Sequence, residues 1–268
     1  MVGGVVDGGV GRPPSRCWKT PAGRSRCPPV LLCCGLTWIS TGQLATAKKV
    51  LRCTVDALTQ HVQAGQFIVG LEPSCTSVFR PDAADLLGGD DRVARIAEHT
   101  VTLAELLTGH TPGGRPPRME GIHAIAQVHC HQHAVLGWAA DQQLLDDAGA
   151  LAQPLATGCC GLAGNFGFEP GHLDVSTACA ESVLLPAVRS AAPDTVILAD
   201  GFSCRTQTTN WTPQAGKLFT WPNYCTEPPP SDFWLRALTW RQATGQRCQD
   251  PPPALPPSVL PLLQLQRS

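Results

Sequence analysis

The chain carries almost no imbalance of charge: 20 lysines and arginines stand against 21 aspartates and glutamates, for a net charge of −1. A nucleic-acid partner normally leaves a basic excess, so that class of function is excluded. No apolar run approaches the ~18 residues needed to span a bilayer. The start, "MVGGVVDGGVGRPPSRC", lacks both the charged segment and the continuous apolar stretch of a secretory signal. Without an export signal the expected compartment is the reducing cytoplasm, where thiols stay reduced or bind metal. Aromatic residues are scarce at 6%, whereas hydrophobic content is ordinary at 43%. A chain of 268 residues can therefore still build one large core or two small ones.

What the chain has in quantity is glycine (26), proline (25) and cysteine (13). An odd number of cysteines cannot form a complete disulfide set within one chain, and in the cytoplasm metal is the better expectation. The segment "TGCCGLAGNFGFE" (157–169) places Cys159 beside Cys160. Neighbouring Cα atoms stand ~3.8 Å apart, short of the ~5.5–6 Å of an unstrained disulfide. The tetrapeptide "CCGL" also occurs at 33–36, and each copy is followed by a strand-like run ending in one cysteine, "FIVGLEPSCTS" and "VILADGFSCRT". Cys33 and Cys75 are 42 positions apart, Cys159 and Cys204 are 45. Two such elements at nearly equal spacing indicate a duplicated unit.

Periodicity gives both units one architecture. Leu44, Ala47, Leu51, Val55, Leu58 and Val62 form one helical face, with Gly65 as the stop and "QFIVGLE" as a buried strand. "DRVARIAEHTVTLAELLTG" (91–109) continues a helical pattern through Val93, Ile96, Thr100, Ala104 and Leu107. The second unit reads as strand (121–128), helix (139–149), strand (150–156), long helix (169–191) and strand (194–200). The expected fold class is α/β: two pseudo-repeated small parallel-sheet units with helices on their faces. The expected boundaries are an irregular segment 1–30, a first cysteine-rich repeat 31–120, a second 121–208, and a Pro-rich irregular tail 209–268. In parallel sheets ligands collect beyond the carboxyl ends of the strands. Cys130, Cys159, Cys160 and Cys204 all fall there.

Four thiols fill the ligand set of an iron–sulfur cluster. Structural zinc sites space paired ligands by two to four residues, whereas neighbouring thiolates can bind different irons of a cluster. Zinc held by Cys130, Cys204 and one of His129, His131 or His133 stays open, as does the reading of buried, inert thiols. Cys17, Cys27, Cys53, Cys179, Cys225 and Cys248 are expected to be inert, Cys53 and Cys179 as core residues of helices. The three histidines could join a metal site, relay protons, or serve as loop residues beside a cofactor. Glu72 and Asp200, just before the lone cysteines, are expected to cap the turns that follow.

"CCGLAGNFGFEPGHLDVS", "VHCHQHAVLG", "GLEPSCTSVFR" and "ILADGFSC" together resemble the cysteine-rich (CCG) region of FAD-linked oxidoreductases of the D-lactate dehydrogenase and glycolate oxidase type. Heterodisulfide reductase carries the same module. The resemblance covers about residues 30–207. It implies a 4Fe–4S centre that passes electrons from a flavin to an acceptor such as a quinone or a redox protein. Its ligands would be Cys130, Cys159, Cys160 and Cys204 in the second repeat, and Cys33, Cys34 and Cys75 in the first. The family's further upstream cysteine would fall 29 positions before Cys33, on Gly4. The FAD half and the ferredoxin-like cysteine runs are missing. The expected role is therefore an electron-transfer module or a fragment of one, cytoplasmic or peripheral at a membrane, partnered by a flavoprotein half or subunit. The alternatives are a zinc-stabilised scaffold and a vestigial chain without cofactor.

Overall fold

The computed structural model describes residues 2–6, 19–20, 23–26, 32–111, 116, 118–212 and 218–219. The early part contains β1 (Val2–Val6), β2 (Lys19–Thr20), β3 (Gly23–Arg26), α1 (Leu36–Ser40) and α2 (Leu44–Gln63). There follow β4 (Phe67–Gly70), α3 (Pro73–Val78), α4 (Asp82–Leu87), α5 (Asp91–His99), β5 (Thr100–Thr102) and α6 (Leu103–Gly109). The sheet runs β2-β3-β1-β4-β5. β4 and β5 are parallel, with Val69 opposite Val101, whereas β1 lies antiparallel to β4. Three short strands thus arise within the segment expected to be irregular.

Helix α2 buries most of its expected face, Ala47, Leu51, Val55, Leu58 and Val62, whereas Leu44, at its first turn, is exposed. It stops where expected, because Gly65 takes φ 73° and the N–H groups of Gly65 and Gln66 fold back onto Val62 and His61. The pattern over 91–109 is not one helix. The β-branched run Thr100-Val101-Thr102 is extended beside β4, burying all three residues. Thr102 then starts α6 through a reciprocal cap: its hydroxyl accepts from Glu105 N at 3.1 Å, and Glu105 accepts from Thr102 N at 2.7 Å.

The later part contains β6 (His123–Ala126), a π-helical turn Gln132–Leu136, α7 (Ala139–Ala148) and β7 (Leu151–Pro154). After a 3-10 turn at Phe166–Phe168 come α8 (Leu173–Ser182), α9 (Leu184–Ser190), β8 (Val196–Leu198), α10 (Phe202–Trp211) and β9 (Leu218–Phe219). All strands of this sheet are parallel, in the order β7-β6-β8-β9. The helix expected over 169–191 is broken at Val183, whose ψ of −47° pairs with a φ of −146°. Pro186 explains the break, since its ring would meet the carbonyl four residues earlier, that of Ser182.

The strands alternate their side chains between two interiors. Val69, Val101, Ala124, Ala126, Val196 and Leu198 share one apolar group with Leu106, Leu107, Leu144 and Leu145, so both sheets contribute to it. Ile68 turns the other way, onto Leu51, Val55, Leu58 and Phe79. Ile197 does the same onto Leu162, Leu184, Leu185 and Val188. Packing back to back in this way brings the carboxyl ends of β4, β6 and β8 to one edge. Ser77 on α3 and His131 after β6 meet there, hydroxyl to Nδ1, at 2.9 Å.

Candidate functional site

Four thiols gather at the strand ends of the second sheet. Cys130 follows β6, Cys159 and Cys160 follow β7, and Cys204 lies in the first turn of α10. Their side chains touch in a run: Cys130 with Cys159, Cys159 with Cys160, and Cys160 with Cys204. Cys160 and Cys204 are buried, and Cys130 and Cys159 are half-buried. Hydrogen bonds from Cys130 and Cys160 push the Cys159 thiol well below its ordinary range. Giving those bonds pushes Cys130 and Cys160 up. Gly161 N also donates to Cys159 Sγ at 3.3 Å.

The glycine after the pair is required by space. Gly161 has φ 90°, and a Cβ there would run into the Ser176 carbonyl of α8. Gly201 lies so close to His129 that a Cβ there would strike the imidazole. His129 is buried, and that burial lowers its pKa. His131 N donates to its Nδ1 at 3.2 Å, which places the proton of the neutral ring on Nε2. The same Nδ1 stands 4.0 Å from Cys130 Sγ. His133 is exposed.

A second run of three thiols sits in the first half. Cys34 touches both Cys33 and Cys75. Gly35 N approaches Cys33 Sγ at 3.5 Å with φ 79°, the same turn as at Gly161. Cys33 is exposed, Cys34 buried and Cys75 half-buried. The single S–H of Cys34, which lies against both neighbours, lowers the Cys33 and Cys75 thiols and is itself raised. The seven cysteines expected as ligands therefore fall into two contact runs.

The remaining expectations fare unevenly. Cys53 and Cys179 do lie on α2 and α8, but Cys179 is exposed and Cys53 only half-buried. The core of α8 is made by Ser176 and Ala180, and position 179 falls on its flank. Cys17, Cys27, Cys225 and Cys248 lie outside the described residues. Glu72 does not cap its own helix: its carboxylate accepts from the Ser74 hydroxyl at 2.9 Å and from Phe202 N of α10 at 2.8 Å. For Asp200, the carbonyl receives the Arg205 guanidinium.

Other polar groups carried no signal in the sequence. Gln127 Nε2 lies 3.5 Å from Gly158 O, beside the cysteine pair. Gln127 Oε1 and Thr157 Oγ1 are buried there without a hydrogen-bond partner. Asp141 is buried and accepts from Gln132 Nε2 at 3.0 Å. Burial, with Asp200 and Glu105 nearby, raises its carboxyl to about 8. Single polar residues inside helical patterns become notable only once burial is known.

Among the described residues no group of three or more His, Cys, Asp or Glu is arranged to hold a metal ion. The sulfurs are instead drawn onto one another. The four thiols come from three separate loops, and Gly161 N–H is directed at one of their sulfurs.

No protein-family model matches the chain. The D-2-hydroxyglutarate dehydrogenase of Escherichia coli (strain K12) is 30% identical over 165 residues, which are 60% of this chain and 15% of that protein. The D-2-hydroxyglutarate dehydrogenase of Pantoea ananatis (strain AJ13355) is 29% identical over 160 residues, 58% of this chain and 15% of that protein. The matched part of the chain is thus related to a region of these oxidoreductases, about 15% of their length.

Proposed function

We propose that the chain is an electron-transfer module of a 2-hydroxy-acid oxidoreductase, with Cys130, Cys159, Cys160 and Cys204 as the ligands of a 4Fe–4S cluster. The observation that carries this reading is the unbroken contact run of four sulfurs supplied by three separate strand ends. A bound cluster would supply single-electron exchange between a donor and an acceptor.

The chain's own residues do the rest. The thiols that still carry a proton, Cys130 and Cys160 among them, would lose it on binding, so loading would release protons. Gly161 N–H is placed to stabilise the Cys159 sulfur. The neutral His129 fills the space between Cys130 and Gly201 without adding charge. FAD and the hydroxy-acid pocket belong to a flavoprotein half or subunit, and the acceptor is a quinone or a redox protein. The similarity to D-2-hydroxyglutarate dehydrogenases supports this setting. No helix among the described residues is long and apolar enough to cross a membrane. A cytoplasmic or membrane-peripheral location fits the proposal.

Anaerobic purification followed by iron, acid-labile sulfide and zinc analysis tests this. About four irons and four sulfides per chain support the cluster. About one zinc and no sulfide would replace it with a zinc-stabilised scaffold.

A further inference from the structure

The three thiols of the first half differ from the four of the second in one structural respect. In the second sheet β6 runs parallel to β8 and its end carries Cys130. In the first sheet β4 lies between β1, which runs antiparallel, and β5, which is parallel but leads straight into α6 with no cysteine at its end. The strand-end loop that would deliver a fourth thiol has no counterpart among the described residues. Cys34 is left between Cys33 and Cys75, touching both. Cys34 and Cys75 both pack on the apolar group of Leu51, Val55, Ile68 and Phe79, surroundings that favour an uncharged disulfide over paired thiolates. Cys33, at the surface, is the thiol that a solute can reach.

We propose that Cys33, Cys34 and Cys75 form a thiol–disulfide exchange site, whose oxidised state is a Cys34–Cys75 disulfide and whose co-substrate is a low-molecular-weight disulfide. The Cys33 thiolate attacks the co-substrate, forming a mixed disulfide and releasing one thiolate. Cys34 attacks the Cys33 sulfur and releases the second. The resulting bond joins neighbouring residues, whose Cα atoms at ~3.8 Å are closer than the ~4.4 Å lower limit of ordinary disulfides. Cys75 relieves that strain by attacking the Cys34 sulfur, which frees Cys33 as a thiolate. In sum, two protein thiols are oxidised and one disulfide is reduced to two thiols. The protons of Cys34 and Cys75 end on the released pair. The order follows the contact run, from surface to interior.

The test uses the full chain, stripped of metal anaerobically and incubated with glutathione disulfide. Remaining thiols are then alkylated, and the digest is read by mass spectrometry. The expected product is a Cys34–Cys75 cross-link that dithiothreitol removes. In Cys33→Ser it forms roughly tenfold more slowly. In Cys75→Ser it is replaced by a glutathione adduct or a Cys33–Cys34 link. Full alkylation of both Cys34 and Cys75 in the unsubstituted chain would overturn the proposal. So would iron that survives Cys130→Ser and is lost on adding Cys75→Ser, because it would put metal on this set. The cross-link does not depend on iron at Cys130, Cys159, Cys160 and Cys204, so either reading can fail alone.

Discussion

The Glu72 carboxylate accepts the backbone N–H of Phe202 at 2.8 Å across 130 residues of sequence. Phe202 is the first residue of α10, the helix that carries Cys204, and Glu72 immediately precedes α3, which carries Cys75. One side chain therefore joins the bases of the two cysteine-bearing helices. It also places negative charge where the α10 dipole favours it. Removing the acceptor leaves the Phe202 N–H without its partner. Glu72→Ala is expected to cost about 1 kcal/mol, a fall in Tm of roughly 2–4 °C for a protein of this size. Glu72→Gln retains an oxygen at the same reach and is expected to lose less. Thermal unfolding followed by circular dichroism checks the order, and equal losses would assign the effect to charge alone.

The glycine of the second "CCG" supplies a sharper contrast. Gly161→Ala puts a Cβ into the Ser176 carbonyl and strains a backbone at φ 90°. Gly158→Ala, three positions earlier, meets nothing within 4 Å. The first change is expected to cost on the order of 1–3 kcal/mol and to disturb the Cys159–Cys160 turn, the second under ~0.5 kcal/mol. Urea denaturation of the two variants measures the difference, and comparable midpoints would show that α8 can shift away.

Those two glycines also mark how far the fold can be read from the chain. A repeated cysteine pair followed by glycine marks the middle of both thiol runs, and in each copy that glycine takes the positive φ of a tight turn. Helix α2 was equally readable: five buried residues on one stripe and a terminal glycine leave few alternatives. The segment 91–109 was not. Thr100 and Val101 satisfy helical spacing and strand propensity alike, and pairing with β4, a tertiary contact, decided for the strand. Pro186 did carry a local warning, since proline three residues inside a helix start forbids continuation from before it. The antiparallel course of β1 and the link from Glu72 to Phe202 rest on contacts between distant residues, for which a single sequence holds no period or motif.

Asp141 gives the pH dependence a definite sign. Its carboxyl is raised from an unfolded value of 3.8 to about 8, chiefly by burial. The folded state therefore holds the proton more tightly than the unfolded state. The associated stability is complete below the unfolded value and is lost progressively as pH rises from near 4 through about 8. The slope approaches ~1.4 kcal/mol per pH unit within that window, an upper figure for one proton. Asp141→Asn keeps an oxygen for Gln132 and cannot ionise. Denaturation at pH 5, 7 and 9 is expected to show the variant gaining on the unsubstituted protein as pH rises, with the advantage levelling above 8. A constant difference across the three would mean that Asp141 is ionised in the fold throughout.

Cys160 occupies the middle of the four-thiol run, in contact with Cys159 on one side and Cys204 on the other, and it is buried. Cys53 lies half-buried on α2, outside both runs. If the four sulfurs act as one ligand set, replacing the central thiol by a hydroxyl removes a donor that oxygen replaces poorly for iron in a sulfur-bound centre. Cys160→Ser is expected to lower iron affinity by at least ~10-fold, while Cys53→Ser keeps the metal content of the unsubstituted chain. Parallel anaerobic reconstitution with iron and sulfide, desalting and metal analysis decides the matter. Similar iron in both variants would mean that the metal sits elsewhere or binds without these thiols. Loss in both, with unfolding in neither, would extend the ligand set to α2.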